Sequence, residues 1–570
     1  MRAGVQGLEP RGRILTLMAF VLAAYLVLLG RLAYWQVLRH GDMSRLAAMY
    51  HDDTITLPAI RGDILDRNGA LLVTNTPVFS VFASPDLIAA SERQAIADQL
   101  APVLGIENQE ILSKLSSNRQ FVYLARRVPA AVAKQLDKLK LPGVGKIAET
   151  QRSYVDGGVP GTSLAANLLG FANNEGVGNY GVEGYFDKTL HGQDGFEATV
   201  RDLANRPIVL SDRQRKDPVN GMTLQLSLDS TIQVVAERAL ADGVQKYQAE
   251  SGSLIIMEPN TGRIVAWADV PGYNANLFAT IPTEQFRDPI VSDLYEPGSV
   301  MKVVTLAGAL DAHAITPDYS FNETGTAVVG GYAIHNWDGK AHGIVTMTQV
   351  LANSLNVGAI KAEQLEGAAS FYKYLQRFGI GAPTGVDVAA ETAAPLADLS
   401  KWKASQLATA SFGQGVDATP IEMLAAVDVI ATGGNLVWPH VVDEMIDSKG
   451  VHHPVQSRVI RQVISPKTAQ QMQQMMVTVV EKGSGFAARI DGFKNRIAGK
   501  TGTASIPENG SYAKDQTIGS FVGFLPADHP QFIMMVITRK PRVLFEGAYV
   551  AAPIWKTVAS ALITQWQIAP

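Results

Sequence analysis

Residues 295–312 read YEPGSVMKVVTLAGALDA, and this stretch decides the fold and the chemistry that the sequence predicts. Pro297 and Gly298 precede an almost wholly apolar run, which predicts a buried helix beginning at Ser299. Ser299 and Lys302 are three residues apart, so a helix places both on one face. A lysine of depressed pKa can take the proton of a serine hydroxyl, and the free N–H groups at a helix start can hold an oxyanion.

A serine and a lysine at this spacing are a weak signal by themselves. Ser400 and Lys403 repeat the spacing in the segment SKWK, where nothing else suggests a role. A second element strengthens the first. In QVLANSLNVGAIKA, Ser354 and Asn356 lie two residues apart at a break between helical patterns, so their hydroxyl and amide can enter one cleft.

A third element lies in the segment RIAGKTGTASI, which contains Lys500, Thr501, Gly502 and Thr503. The apolar residues before it predict a strand, and the glycine predicts a close approach of a substrate backbone. A phosphate-binding P-loop would need glycine at position 494, which is Lys494, so that alternative fails. Serine with lysine, serine with asparagine and Lys-Thr-Gly, in this order, are the signature of active-site serine enzymes that react with penicillin.

Composition narrows the class of protein further. The chain has 570 residues, of which 47% are apolar and 18% charged, so we expect a multidomain globular protein. Its net charge is only -4, so we do not expect it to bind nucleic acid. It contains no cysteine, so disulfides, thiolate nucleophiles and zinc-cysteine sites are excluded. No HExxH motif is present, and we expect no metal and no cofactor.

The N-terminal region predicts a single membrane anchor. Residues 14–29 read ILTLMAFVLAAYLVLL without a charge, and the apolar pattern continues to Trp35. We assign 14–36 to an uncleaved transmembrane signal-anchor, since about 20 apolar residues span a bilayer. Three arginines lie in the tail, residues 1–13, which the positive-inside tendency places in the cytoplasm. The body of the protein should then lie outside.

The remaining sequence divides into two parts. Residues 37–221 mix short strands, turns and helical patterns, which predicts an α+β module whose glycine-rich end, 155–195, is typical of a spacer. Residues 222–570 begin with a strand, a long helix and a strand pair, and end with two strands and a helix. Such an arrangement predicts one sheet built from both ends of the domain.

With these motifs, the sequence resembles the class B penicillin-binding proteins from the anchor to the last helix. The resemblance also rests on FGQGVDATPIEM at 412–423 and on pedestal residues in RGDILDRNG and further along the chain, namely Arg61, Gly62, Asp66, Arg67, Arg152 and Glu183. It implies a non-catalytic pedestal (dimerisation) domain at 37–221. It also implies a transpeptidase domain at 222–570 with the β-lactamase-like fold, an antiparallel sheet flanked by helices.

The resemblance implies a catalytic role for five residues. Ser299 would be the nucleophile and Lys302 its base, kept partly neutral by the second cation, Lys500. Ser354 would relay a proton toward the leaving D-alanine, and Asn356 would hold the amide of the donor peptide. An acyl-enzyme would form and be resolved by an amine from a neighbouring stem peptide.

Substrate binding is implied for the Lys-Thr-Gly strand. Thr501 and Thr503, with Gly502 between them, would bind the terminal carboxylate beside Lys500. The backbone N–H groups of Ser299 and Thr503 would form the oxyanion hole. The substrates would be peptidoglycan stem peptides ending in D-Ala-D-Ala, and β-lactams would be covalent inhibitors.

Glu296, before Pro-Gly-Ser, is similar to the division branch of the class, which implies septal wall synthesis in a bacterial inner membrane with a periplasmic catalytic domain. The implied partners are a polytopic glycosyltransferase of the shape, elongation and division family and other divisome proteins. Three alternatives stay open: an elongation-type transpeptidase, a carboxypeptidase or β-lactamase-like hydrolase, and a non-catalytic β-lactam sensor. No separate deacylating glutamate is visible, and the tail at 1–13 leaves little room for a signalling domain.

Overall fold

The computed structural model describes residues 10–43, 52–200, 214–508 and 511–570. Residues 1–9 of the predicted tail, and 44–51 and 201–213 of the predicted pedestal, lie outside the described residues. The chain divides into two compact units, one of Met1–Ala59 with Gln193–Asn220 and the other of Ile60–Gly192 with Gly221–Pro570.

The first unit contains the apolar helix and a small sheet. The helix Pro10–Ala33 continues as a π-helix over Tyr34–Leu38, and its stretch Arg11–Leu38 is long and apolar enough to cross a membrane, by length and composition. The sheet has three antiparallel strands, Asp52–Leu57, Gly195–Val200 and Gln214–Lys216.

A mixed sheet in the second unit joins the two predicted domains. Its strands, in order, are His452–Pro454, Val442–Ile446, Thr223–Leu226, Ile64–Leu65, Leu71–Ala83 and Val122–Pro129, with Val144–Tyr154 also paired to Leu71–Ala83. Ile64–Leu65 runs parallel to Thr223–Leu226. One end of the sheet shares a separate hydrophobic cluster with three helices, Arg93–Leu104, Asn108–Leu115 and Ala130–Leu139.

The glycine-rich segment 155–195 is part of the core, so its prediction as a spacer is wrong. Many of its apolar side chains belong to the main hydrophobic cluster, and two of them, Leu168 and Val182, are fully buried. Its glycines serve close backbone packing: a Cβ on Gly170, where φ is +71°, would collide with the backbone of Tyr180. The glycine content therefore reflects tight packing, which composition does not distinguish from flexibility.

A five-stranded antiparallel sheet forms the centre of the C-terminal region. Its strands, in order, are Ile264–Val270, Ser251–Met257, Phe532–Arg539, Ser511–Leu525 and Ala498–Glu508. Early and late segments pair directly, so the predicted sheet built from both ends of the domain is confirmed. The α+β fold with one apolar N-terminal helix is confirmed with it.

Helices cover both faces of this sheet. Alternate residues of each strand point to opposite sides, so both faces present apolar side chains that the helices bury. Ile533, Met535 and Ile537 face one hydrophobic cluster, which includes the helices Met301–Asp311, Pro420–Ala431 and Pro466–Lys482. Met534 and Val536 face the other, which includes Ser230–Tyr247 and Ala552–Gln565. The helix Met301–Asp311, which carries Lys302, is therefore held inside the core.

Shorter strands and further helices complete the C-terminal region. Ser320–Glu323 pairs antiparallel with Gly343–Thr346, and the hairpin between them in the chain pairs Thr326–Val329 with Tyr332–His335. Another strand pair joins Asn435–Val437 to Val459–Gln462. The remaining longer helices are Met347–Ala352, Asn356–Glu366, Ala368–Arg377 and Ala404–Ala410.

Candidate active site

Ser299 lies in a short 3-10 turn, Gly298–Val300, that leads directly into the helix Met301–Asp311. The helical segment thus begins within one residue of the predicted start. Gly298 has φ +55°, and a Cβ there would lie 2.8 Å from the carbonyl oxygen of Thr503. Only glycine fits this turn without strain, because the backbone is left-handed and the Lys-Thr-Gly strand is in contact.

The side-chain nitrogen of Lys302 contacts residues of the first two sequence motifs. Its Nζ lies 3.1 Å from Ser299 Oγ and 2.8 Å from Asn356 Oδ1. The same nitrogen lies 2.6 Å from the carbonyl oxygen of Ser354 and 3.3 Å from Ser354 Oγ. Lys302 is fully buried. The predicted meeting of Ser299, Lys302, Ser354 and Asn356 is what the structure contains.

The third motif reaches the same point through Lys500. Lys500 Nζ lies 2.9 Å from Ser354 Oγ and 2.9 Å from the carbonyl oxygen of Thr501. Ser354 itself has φ +59° and lies between the helices Met347–Ala352 and Asn356–Glu366. Its hydroxyl is therefore placed between the two buried lysines.

Burial controls the protonation of both lysines. Burial lowers the pKa of Lys302 well below its usual range, and the nearby charge of Lys500 lowers that pKa further. Burial alone lowers the pKa of Lys500 to about 7. The sequence assigned the neutral state of Lys302 to the second cation, whereas desolvation is the larger cause in the structure.

The Lys-Thr-Gly strand forms one wall of the cleft. It belongs to Ala498–Glu508, the edge strand of the five-stranded sheet. The carbonyl of Thr503 faces Gly298, and because the N–H and C=O of one strand residue point to the same side, the N–H of Thr503 also faces the Ser299 turn. Thr503 is exposed to the cleft, whereas Thr501 is buried.

Packing inside the protein gives one reason for glycine at position 502, and the close approach of a substrate backbone stays a prediction. A Cβ there would collide with Ser520 Oγ and lie 2.9 Å from the side chain of Val300. The missing side chain therefore allows the strand to pack against its neighbour and against the Ser299 turn.

Sequence reasoning missed the residues that hold the motifs from behind. Ser484 Oγ lies 2.9 Å from Thr501 Oγ1, and the backbone N–H of Ser484 donates to Ala352. Asn356 Nδ2 donates to the carbonyl of His335, in the hairpin beside the cleft. The Gly-Ser-Gly run at 483–485 is a turn signal, but nothing in it indicates a contact with Thr501.

The competing motifs lie elsewhere. Ser400 and Lys403 are both exposed, as are Ser116 and Asn118, a second serine and asparagine at the SxN spacing. Burial against the sheet separates the Ser299 cluster from these chance matches.

The predicted pedestal residues also meet, around one buried carboxylate. Glu183 is fully buried and accepts hydrogen bonds of 2.7 Å from Arg61 Nε and 2.7 Å from Arg152 Nε. The hydroxyl of Tyr154 lies 3.2 Å from the same carboxylate. Two arginines from distant parts of the chain thus converge on one glutamate.

The RGDILDRNG motif contacts the start of the C-terminal region. Asp66 Oδ2 accepts a 2.6 Å hydrogen bond from Ser230 Oγ, and Arg67 Nη2 donates to Glu258 Oε1 at 2.8 Å. A Cβ on Gly62 would collide with the backbone of Met222. These contacts fix the motif against the strand and the helix that open the second predicted domain.

Together, the fold and the site define a serine acyltransferase of the penicillin-interacting class. A half-buried serine at a helix start contacts a desolvated lysine, and a second serine connects that lysine to a third motif on an edge strand. This arrangement can activate a hydroxyl and stabilise an oxyanion.

Comparison with known proteins agrees with this class. The penicillin binding protein transpeptidase domain matches residues 252–560, and the penicillin-binding protein dimerisation domain matches 56–226. Stage V sporulation protein D of Bacillus subtilis is 31% identical over 564 residues, covering 96% of this chain and 85% of that protein. Peptidoglycan D,D-transpeptidase FtsI of Escherichia coli is 30% identical over 572 residues, covering 98% and 92%.

A solved structure extends the likeness to the fold. The crystal structure of a peptidoglycan synthetase from Bifidobacterium adolescentis matches with a TM-score of 0.73 and 27% identity, covering 91% of this chain and 97% of that one. The chain belongs to the class B penicillin-binding proteins.

Proposed function

We propose that this chain is a peptidoglycan D,D-transpeptidase in which Ser299 attacks a stem peptide ending in D-Ala-D-Ala and releases D-alanine. The observation that carries the proposal is the 3.1 Å contact between Lys302 Nζ and Ser299 Oγ, inside a cluster completed by Ser354, Asn356 and Lys500. Several relatives are named as peptidoglycan D,D-transpeptidases, which supports the proposal.

In the first step Lys302 acts as the general base. Its depressed pKa supplies a neutral amine, which accepts the Ser299 proton as Oγ bonds to the carbonyl carbon of the penultimate D-alanine. The negative charge that develops on the carbonyl oxygen is stabilised by the N–H groups of Ser299 and Thr503.

In the second step the peptide bond breaks and the terminal D-alanine leaves. Ser354 passes a proton from Lys302 to the leaving nitrogen, since its hydroxyl contacts both buried lysines. Lys500 with Thr501 and Thr503, on the strand that includes Gly502, binds the carboxylate of the leaving residue. Asn356 keeps a second amide hydrogen free of the His335 contact, with which it can hold the donor peptide.

In the third step an amine of a neighbouring stem peptide attacks the acyl-enzyme. A new amide bond forms, the bond to Ser299 Oγ breaks, and Ser299 regains a proton through Lys302. A β-lactam enters by the first step, in which its ring amide opens on Ser299. The chain then remains acylated.

We further place the chain in septal wall synthesis, supported by Glu296 and by the likeness to division-type relatives. In this proposal 14–36 is the anchor of the bacterial inner membrane and 1–13 lies in the cytoplasm. The pedestal at 37–221 and the transpeptidase domain at 222–570 lie in the periplasm. The partners are a polytopic glycosyltransferase of the shape, elongation and division family and other divisome proteins.

Two experiments test the function and its setting. The full-length chain, incubated with a stem peptide ending in D-Ala-D-Ala and an acceptor peptide, should yield a cross-linked dimer and free D-alanine. Hydrolysed peptide without any dimer would favour the carboxypeptidase alternative. Depletion in a rod-shaped host should give filaments, and round cells would instead support a side-wall role.

A further inference from the structure

The carboxylate of Glu296 lies three residues before the nucleophile and is 9% exposed. It accepts a hydrogen bond of 2.8 Å from the backbone N–H of Gly415. It also accepts from the hydroxyl of Tyr512, whose oxygen lies 3.0 Å and 3.2 Å from the two carboxylate oxygens. One side chain therefore joins the Ser299 segment to two other parts of the chain.

The first of these parts is the loop that contains FGQGVDA. Tyr295 and Ala418 exchange two backbone hydrogen bonds, of 3.1 and 3.0 Å, and the N–H of Gly298 donates to the carbonyl of Gly413 at 3.1 Å. The Glu296 contact with Gly415 lies between these two connections. The loop thus follows the Ser299 segment in antiparallel register up to the residue before the nucleophile.

The second part is the strand pair that carries the Lys-Thr-Gly motif. Tyr512 belongs to the strand Ser511–Leu525, which pairs antiparallel with Ala498–Glu508, so that Thr503 lies opposite Gly519. The Tyr512 hydroxyl therefore fixes the strand of Thr503 to the segment of Ser299. Both N–H groups of the proposed oxyanion hole belong to backbone that Glu296 connects.

We propose that Glu296 is a positioning residue for acylation, which sets the spacing between the Ser299 turn and the Thr503 strand through Gly415 and Tyr512. This role rests on the proposed function, because it acts on the oxyanion hole of that reaction. Loss of the carboxylate frees the strand pair and the loop to move relative to the nucleophile. Donors aimed at an oxyanion lose much of their effect when the donors are misplaced by a fraction of an ångström.

A positioning role predicts a change in the acylation rate at saturation, with little change in the binding of the inhibitor. We expect Glu296→Ala to lower the maximal acylation rate about 10- to 100-fold, and Tyr512→Phe about threefold to tenfold. Glu296→Gln should recover most of the rate, because its amide oxygen can accept from Gly415 and its NH₂ can donate to Tyr512. The double variant with Glu296→Ala and Tyr512→Phe should acylate at the rate of Glu296→Ala alone, since Tyr512 acts through Glu296.

The test measures acylation of the full-length chain in detergent by fluorescent penicillin, over a range of concentrations and with a melting temperature for each variant. Tyr374→Phe is the matched control, since its hydroxyl donates to Asp311 Oδ2 at 2.7 Å, at the opposite end of the helix Met301–Asp311 from Lys302. Tyr374→Phe should acylate at the wild-type rate.

The outcomes separate the two proposals. An unlabelled wild-type chain contradicts the proposed function itself. Wild-type labelling with an unchanged rate in Glu296→Ala, or losses that add in the double variant, contradicts the positioning role alone. If Glu296→Ala instead raises the half-saturating concentration of penicillin and leaves the maximal rate unchanged, Glu296 binds the ligand directly. That result also contradicts the positioning role.

Discussion

Lys302 Nζ lies 3.1 Å from Ser299 Oγ, across a single turn of one helical segment. The helix supplies the proximity, and the core around it supplies the low pKa, since Lys302 is fully buried. A serine and a lysine at this spacing on the surface, such as Ser400 and Lys403, lack that burial. The neutral state that lets Lys302 accept a proton therefore depends on the packing as much as on the motif.

Replacement of the base should abolish most of the acylation without unfolding the chain. Lys302→Met keeps a side chain of similar length, removes the general base and removes a buried amine. We expect a loss of about 10²- to 10⁴-fold in the acylation rate with labelled penicillin. The melting temperature should stay equal or rise, because a desolvated amine destabilises the fold.

Lys403→Met is the matched control for this variant, since Lys403 has the same spacing to a serine but is exposed. It should label at the wild-type rate. Equal labelling of Lys302→Met and Lys403→Met would contradict the role of Lys302 as base.

The stability of the fold should depend on pH through Lys500. Its pKa is near 10.5 ordinarily and about 7 when folded, so between these values the unfolded chain holds more protons. The free energy of unfolding therefore rises with pH across this window, and the destabilisation is fully present below about pH 7. Lys500→Met should be more stable than wild type near neutral pH, with the difference shrinking toward high pH.

Urea unfolding of wild type and Lys500→Met at several pH values checks this prediction. Lys403→Met serves as the control, because an exposed lysine should leave the slope unchanged. Parallel pH profiles for wild type and Lys500→Met would rule out a desolvated Lys500.

The pedestal should depend strongly on Glu183. Glu183→Ala leaves two arginines, Arg61 and Arg152, buried without their shared carboxylate. Removal of one partner from a buried ion pair typically destabilises a protein by about 3–5 kcal/mol. We expect a large drop in melting temperature or protease-sensitive material.

An exposed ion pair provides the control for the pedestal variant. Glu110→Ala removes the partner of Lys114 on a helix surface, where such pairs contribute about 0.3–0.5 kcal/mol. Similar melting temperatures for Glu110→Ala and Glu183→Ala would show that the buried network does not stabilise the pedestal.

The cluster around Ser299 could be predicted from the sequence because its chemistry is encoded in short spacings. A helix brings Ser299 to Lys302, and the order of the motifs indicates that Ser354 and Lys500 join them. The supporting contacts could not be predicted, since Ser484 and Tyr512 reach the site through tertiary packing alone. No local pattern marks such residues.

Contacts between segments that are distant in the chain could not be predicted from the sequence either. The short strand Ile64–Leu65 pairs with Thr223–Leu226, far along the chain, and no periodicity in either segment indicates the partner. The glycines at 155–195 led to the wrong prediction of a spacer, because in the structure they allow one backbone segment to pack against another. Composition records how many glycines a segment has and not what lies against them.

The most direct test of Ser299 as the nucleophile is intact-protein mass spectrometry of the chain after reaction with labelled penicillin. We predict one adduct on the wild-type chain and on Ser400→Ala, and none on Ser299→Ala, with wild-type melting temperatures for both variants. An adduct of equal yield on Ser299→Ala would contradict the assignment of the nucleophile, and with it the mechanism built on Lys302.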